Sequence, residues 1–433
     1  MTLTCRQIHD EVQGLALTLN AIEFTTSFHE ATRQPAALYH AAHNVTQDRK
    51  LNLVNDLAPQ LLSADMARIA TNSYPQFAPV VNLWRSQRTL RYPKISWGEP
   101  PSIWRDFITF VLSLIAKDPR FVELAHTALR SYHGCDGRSP LKMIGSFTQP
   151  WIIPSNAELE ELVDMAQVEL KLPKYAPFMR YTYSAASSAI RFLQSISHTT
   201  RNAIRNIYVL EDRECIASPL CYGRGLVSFC QENTKLRVTH VVNLWKNAFP
   251  VCILDRASYM YAMPDNPPTL DQDRLHARRI TESVGAWLME ASALPSFGMP
   301  CDSYTFILDG SPNVEHTSAV FRIIQRDVAW HSALDACYAR GLLPELSWKE
   351  RRSRPGYTYE GLPDLVQNLS THGTHIRTNF DLGHPFSFEE LIEERQGWSQ
   401  LDWGDDWGEH EPRDFQTKAP LPPWQTLRWQ YAV

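Results

Sequence analysis

The stretch SYTFILDGSPNVEHTSAVFRIIQRDVAWHSALDACYARG, Ser303–Gly341, decides the fold class. Ser303–Gly310 reads as the clearest strand in the chain, ended by Gly310 and Pro312. From Thr317 the period changes: Val320, Ile323, Trp330, Leu334 and Cys337 return at helical spacing as far as Arg340, where Gly341 supplies the stop signal. A strand followed directly by a long amphipathic helix implies a sheet that the helix covers. Outward from this unit, AIEF at Ala21–Phe24 and NIYVLED at Asn206–Asp212 supply further short strands, and TKLRVTHVVNLW at Thr234–Trp245 another strand or a strand-to-helix passage. Most of the remainder reads as helix, including Thr4–Asn20, segments up to Tyr132, and stretches near Ala157–Leu170 and Ala185–Thr199. The expected class is α+β, predominantly helical, with a few short strands forming a small sheet.

At 433 residues the chain exceeds the length at which a single core keeps growing, and 44% hydrophobic content with 11% aromatics is ample for packed cores. The segment Gly134–Asn156, rich in Gly, Pro and Ser, is the best boundary. The expected organisation is a helical region over 1–133, a linker over 134–156, an α+β region over 157–390 and an acidic, tryptophan-rich tail over 391–433. In that tail Trp398, Trp403 and Trp407 read either as a segment packed on the body or as an acidic-aromatic docking segment. The pentapeptide VVNLW occurs at Val80–Trp84 and again at Val241–Trp245. Alignment on it leaves almost no other identities, so it does not mark a repeat.

A net charge of −5 argues against a nucleic-acid partner, because phosphate binding needs a clustered excess of base. The longest apolar run, Ser102–Ala116, is too short for a bilayer and carries Arg105 and Asp106, so no membrane association is expected. The N-terminus has no apolar secretion signal, and the eight cysteines are scattered without a CxxC pair. Reduced thiols in a cytoplasmic or nuclear protein account for this pattern.

Few motifs carry chemistry. Cys135 between His133 and Asp136 has the composition of an activated thiol, but CDG is also an ordinary turn. His372, His375, Asp381 and His384 are close in sequence, yet His-x-x-His without partnering cysteines is a weak metal signal, and no metal site is expected. Asp327 falls inside the apolar stripe of the long helix, where a carboxylate is costly unless paired. It is either a structural ion pair, with Arg326 as one candidate, or part of a site. Asp309 ends a strand, where ligand contacts often lie. The densest basic cluster, WKERRSRPGY at Trp348–Tyr357, reads as a solvated loop, or as a patch that binds an anion, guides nuclear import or touches nucleic acid. No phosphate-binding loop, dinucleotide fingerprint, nucleophile elbow or HExxH pair is present, so no cofactor is expected.

The segment SAIRFLQSISHTTRNAIRNIYVLEDRECIASPLCYGRGLVSFCQENTKLRVTHVVNLW resembles a region shared by uncharacterised fungal proteins with F-box-like segments. In that pattern a Leu-Pro-x-Glu-x-Arg-x-x-Ile motif precedes a strand. Its counterpart here is Leu193–Ile207, with Arg201 and Ile204 matching and Ile196-Ser197 standing where Leu-Pro is expected. LTCRQIHDEVQGLALTLNAIEF is similar to the second half of the same module, whose first half would lie before Met1. The resemblance implies a degenerate F-box-like segment and a protein partner docked on Phe192, Leu193, Arg201 and Ile204. The expected function is a non-enzymatic intracellular adaptor or scaffold, with those apolar side chains partly on the surface. The alternative is an enzyme of unassigned class using Asp309, Asp327 or the His372–His384 loop.

Overall fold

The computed structural model describes residues 15–26, 28–88, 95–133, 140–167, 179–250, 275–369, 375–410 and 414–429. The class is α+β and predominantly helical, with a five-stranded parallel sheet at its centre. Its strands are β1 (Ala21–Thr25), β2 (Asn206–Glu211), β3 (Arg237–Asn243), β5 (Tyr304–Asp309) and β6 (Ile376–Thr378). A separate antiparallel pair joins β4 (Leu275–His276) to β7 (Asp414–Phe415).

The sheet order β1-β2-β3-β5-β6 follows the order of the chain. Every crossover therefore steps in the same direction, and right-handed crossovers that all step one way place their connections on one face. The burial of alternate residues agrees. In register across the strands, Phe24, Val209, His240, Phe306 and Ile376 form one inward row, with Ile207, Val238 and Tyr304 in another. The residues between them, Glu23, Tyr208, Thr239 and Thr305, then Thr25, Leu210, Val241, Ile307 and Arg377, face the other way. They are half-buried or exposed. Parallel sheets are ordinarily sealed on both faces. Among the described residues, this one is sealed on one.

Five helices organise the rest: α1 (Glu30–Leu61), α2 (Pro101–Ile115), α3 (Ala185–Ser195), α4 (Ala277–Ala293) and α5 (Val314–Ala339). Three of them, α3, α4 and α5, seal the inward face with Ile190 and Leu193, Val284, Trp287 and Leu288, and Val320, Phe321 and Ile324. The Trp287 ring lies 6.1 Å from Phe306, nearly parallel to it. Local chemistry starts these helices where the sequence supplies a cap. The side chains of Ser184 and Asn313 accept from the backbone N–H of Ser187 and His316 at the starts of α3 and α5. Gly341, at φ +70°, ends α5 in the left-handed conformation that favours glycine.

The helical layer of α1, α2 and their neighbours has its own core around Phe77, Trp84, Phe107 and Val111. The two bodies share more than the chain. β1 belongs to the sheet, and the helix Asn156–Ala166 packs through Leu159 and Val163 against Ala36–Ala42 of α1. Glu290 on α4 accepts from the backbone N–H and the hydroxyl of Ser102 in the first turn of α2, at 2.6 and 2.7 Å. At the other end, Trp398, Trp403 and Trp407 pack round Trp330 on α5. The Arg395 guanidinium stacks on Trp330 and bonds Asp406 at 3.0 Å. The tryptophan-rich tail is a packed cap over the end of α5. Among the described residues, no helix is long and apolar enough to cross a membrane.

Candidate functional site

The F-box-like segment serves the core. Leu193 is 1% exposed and Ile204 0%, both inside the cluster under the sheet, so neither forms a surface patch. The reason is topological: helix α3 and the short helix His198–Ala203 lead directly into β2, and the apolar side of α3, with Ile204, packs under the sheet. Arg201 is also turned inward. Its guanidinium donates to the carbonyls of Leu193 and Ile196 and pairs with Glu232 at 3.0 Å, tying the turn between the two helices. Phe192 and Arg201 are half-buried, and the Phe192 ring packs 5.6 Å from Phe24 of β1. The expectation that the apolar side chains lie partly on the surface fails for Leu193 and Ile204, which are buried in the core.

The two acids are likewise occupied. Asp309 accepts from Asn243 at 2.8 Å, from Asn379 at 2.5 Å and from the Ser311 backbone N–H at 2.9 Å. Asn379 in turn accepts from the Gly310 N–H at 2.7 Å. These side chains form a rung of amides and carboxylate along the C-terminal ends of β3, β5 and β6. Burial works to raise the Asp309 pKa, but the hydrogen bonds from Ser311, Asn243 and Asn379 outweigh it and hold the carboxyl below its usual range. Asp327 is 3% exposed. It accepts from Thr281 on α4 at 2.6 Å and from the Arg326 guanidinium at 2.6 and 3.0 Å. It is the ion pair that its place in the apolar stripe demands, and it fastens α5 to α4. The two acids have separate partners and form no joint site.

The basic cluster at Trp348–Tyr357 is an ion-pair network. Arg351 and Arg354 both reach Asp335 of α5, at 2.6 and 2.7 Å, and Arg352 bonds Glu360 at 2.9 Å. His331 adds a contact to Asp335 at 3.4 Å. Burial would raise the Asp335 pKa, yet the bonds from His331 and Arg351 and the charge of Arg354 drive it well below the carboxylate range. Arg352 and Arg354 are buried, so these charges hold the body together. Of the histidine loop, His375 shares a hydrogen bond with the Ala291 carbonyl, His384 is exposed, and His372 lies outside the described residues, as does Cys135. Among the described residues no group of His, Cys, Asp and Glu could hold a metal ion.

Two features escaped the sequence reading. Beneath the sheet, Glu211 and His240 occupy inward positions of β2 and β3, 0% and 1% exposed, 3.8 Å apart. Glu211 caps α3, accepting from the backbone N–H groups of Ala185 and Ala186. His240 shares a 2.6 Å hydrogen bond with the Tyr304 hydroxyl. Burial pushes Glu211 up to about 7 and His240 down to about 3. Their signal was legible: both polar residues fall in the apolar phase of alternating strands. They are sealed from solvent, so no substrate reaches them.

The second feature is the outward face itself. Tyr208, 42% exposed, stands at its centre between Glu23 and Thr239. The row Thr25, Leu210, Val241, Ile307 and Arg377 runs across all five strands. Its middle is aliphatic and half-buried, and it ends in the exposed guanidinium of Arg377. Arg377 has no ion pair or side-chain hydrogen bond among the described residues. The strict alternation of NIYVLE carried this signal too, since a two-residue period sends Tyr208 and Leu210 away from Ile207 and Val209. No protein-family model, curated protein sequence or solved structure gives a match to this chain.

Proposed function

We propose that the protein is a non-enzymatic intracellular adaptor that binds a protein partner on the outward face of its parallel sheet. The observation that carries this reading is a face that no described element seals, an array of in-register side chains built on rigid strands. It combines the elements of an interface: an apolar centre of Leu210, Val241 and Ile307, a tyrosine anchor in Tyr208, and a basic end in Arg377. The partner it fits presents an apolar surface with an acidic flank that meets Arg377. The occupied state of Asp309 and Asp327 also favours an adaptor over an enzyme built on either acid. The likeness to F-box-like fungal proteins points to the same kind of role, with docking moved from the buried Leu193–Ile204 segment to the sheet.

Affinity purification of the tagged full-length chain, wild type beside a Tyr208→Lys, Arg377→Glu double variant, tests the proposal. Both positions are exposed, so circular dichroism and melting temperature are expected to be unchanged. A stoichiometric partner held by the wild type and lost by the variant is the expected result. Equal recovery of that partner with the variant, or no stoichiometric partner for either, would contradict it.

A further inference from the structure

The junction between the helical layer and the sheet body forms a half-open cavity of about 300 Å³. Its walls come from Gln47 of α1, Arg105 and Asp106 of α2, the loop Phe147–Trp151, and Arg224. Two guanidinium groups, Arg105 and Arg224, and one carboxylate, Asp106, line it. Arg224 is paired with Asp106 at 2.7 Å. Among the described residues Arg105 is not paired with a carboxylate: its hydrogen bond goes to the Cys221 sulfur at 2.9 Å, and burial pushes that thiol up to about 11, so it stays neutral. Glu290 is the nearby acid: both of its oxygens accept from Ser102, and its charge favours the Arg105 cation without a direct ion pair. Behind the same wall Lys50 donates to the Ser146 carbonyl, its pKa pulled down to about 8 by burial and then by Arg105. His43 is held near 3 by burial and by the same guanidinium. Arg105 is half-buried and makes no ion pair among the described residues, so its guanidinium is the group in the wall that a bound anion would meet.

The rest of the wall limits the size and shape of the anion. Phe110, Phe147 and Trp151 provide aromatic surface, and Thr109 and Gln47 provide neutral hydrogen-bonding groups. The volume is at the small end of ligand pockets, suited to a single ring. We propose that this cavity binds a small aromatic oxyanion, a carboxylate or phosphate monoester, with its head on Arg105 and its ring against Phe110, Phe147 and Trp151. The site is independent of the outward sheet face and uses none of its residues.

The test is calorimetry and thermal melting of the full-length protein with benzoate, phenyl phosphate, benzyl alcohol and inorganic phosphate. Saturable binding of benzoate or phenyl phosphate is expected, with the tighter of the two identifying the head group. Benzyl alcohol and inorganic phosphate should each bind at least tenfold more weakly, for want of the charge and the ring respectively. Arg105→Gln should weaken the anion at least tenfold. Should that variant fail to fold, Ser113→Trp, placed on an exposed residue at the cavity wall, should block binding while leaving the unliganded melting temperature unchanged. The proposal is overturned if neither aromatic anion binds the wild type at millimolar concentration, if inorganic phosphate binds as tightly as phenyl phosphate, or if binding survives both substitutions.

Discussion

The two faces of the sheet are made of alternate residues from the same five strands, yet they do opposite things. The inward face is closed over Ile207, Val209, Val238, Phe306 and Leu308 by three helices, and even its polar members, Glu211 and His240, are sealed. The outward face keeps Glu23, Tyr208 and Arg377 in solvent and leaves its aliphatic row half-covered. Because the chain order of the strands is also their spatial order, all the crossovers load one face. Stability is concentrated on that side, and the proposed recognition surface is the other.

Substitutions should separate the two roles. The largest loss is expected on the inward face: Phe306→Ala should cost about 3–5 kcal/mol in urea unfolding, through the cavity it leaves beside Trp287. Leu193→Asp belongs to the same class, placing a charge at a 1% exposed position, and should abolish folding rather than selectively remove a partner. Next comes Asp327→Ala, expected to cost about 3 kcal/mol by leaving Arg326 and Thr281 without their acceptor between α4 and α5. A loss below 1 kcal/mol would deny the pair its structural role.

The Glu211 carboxyl gives a subtler probe of the sealed side. Its pKa is raised to about 7 in the fold, above its ordinary value, so the folded state holds the proton more tightly. That contribution to stability is fully present below the ordinary carboxyl pKa and is lost as pH rises through 7. His240 works in the opposite direction: with its pKa lowered to about 3, stability is lost as pH falls from its ordinary pKa towards 3. Glu211→Gln removes only the first effect. The stability of the wild type relative to this variant should therefore fall by about 2–3 kcal/mol between pH 5 and pH 8 in urea titrations. A difference that is flat with pH would show that Glu211 ionises normally. The smallest effect belongs to the outward face, where Tyr208→Ala should change stability by no more than about 0.5 kcal/mol while weakening the partner.

The strands were the most legible part of the fold. AIEF, NIYVLED, RVTHVVN and YTFILD each announced themselves by alternation, and the helix after YTFILD by its apolar stripe and Gly341. The pentapeptide VVNLW shows where local pattern stops. At Val80–Trp84 it lies within the helix Ala78–Arg85, while at Val241–Trp245 it ends β3 and turns at Asn243, which caps the following turn. Neighbours decide: Pro79 at a helix start in one copy, the flanking strands β2 and β5 in the other. Asp327 was legible as a buried acid because it interrupts a stripe. The burial of Leu193 and Ile204 was not, because the helical period marks an apolar side without saying whether a sheet or a partner covers it. The pairing of the Trp348–Tyr357 arginines was hidden for a related reason, since Asp335 lies on another element and only the fold brings it within reach.

The unsealed face is the centre of this account, and cysteine accessibility tests it most directly. Thr305→Cys and Thr239→Cys place a thiol on the outward rows, and Val238→Cys places one on the inward side of the same sheet. Under native conditions, maleimide labelling read by peptide mass spectrometry should modify the two outward cysteines at rates far above the inward one, which should react only on unfolding. Equal protection of all three would mean that the outward face is covered as well, and the proposed docking surface would not exist.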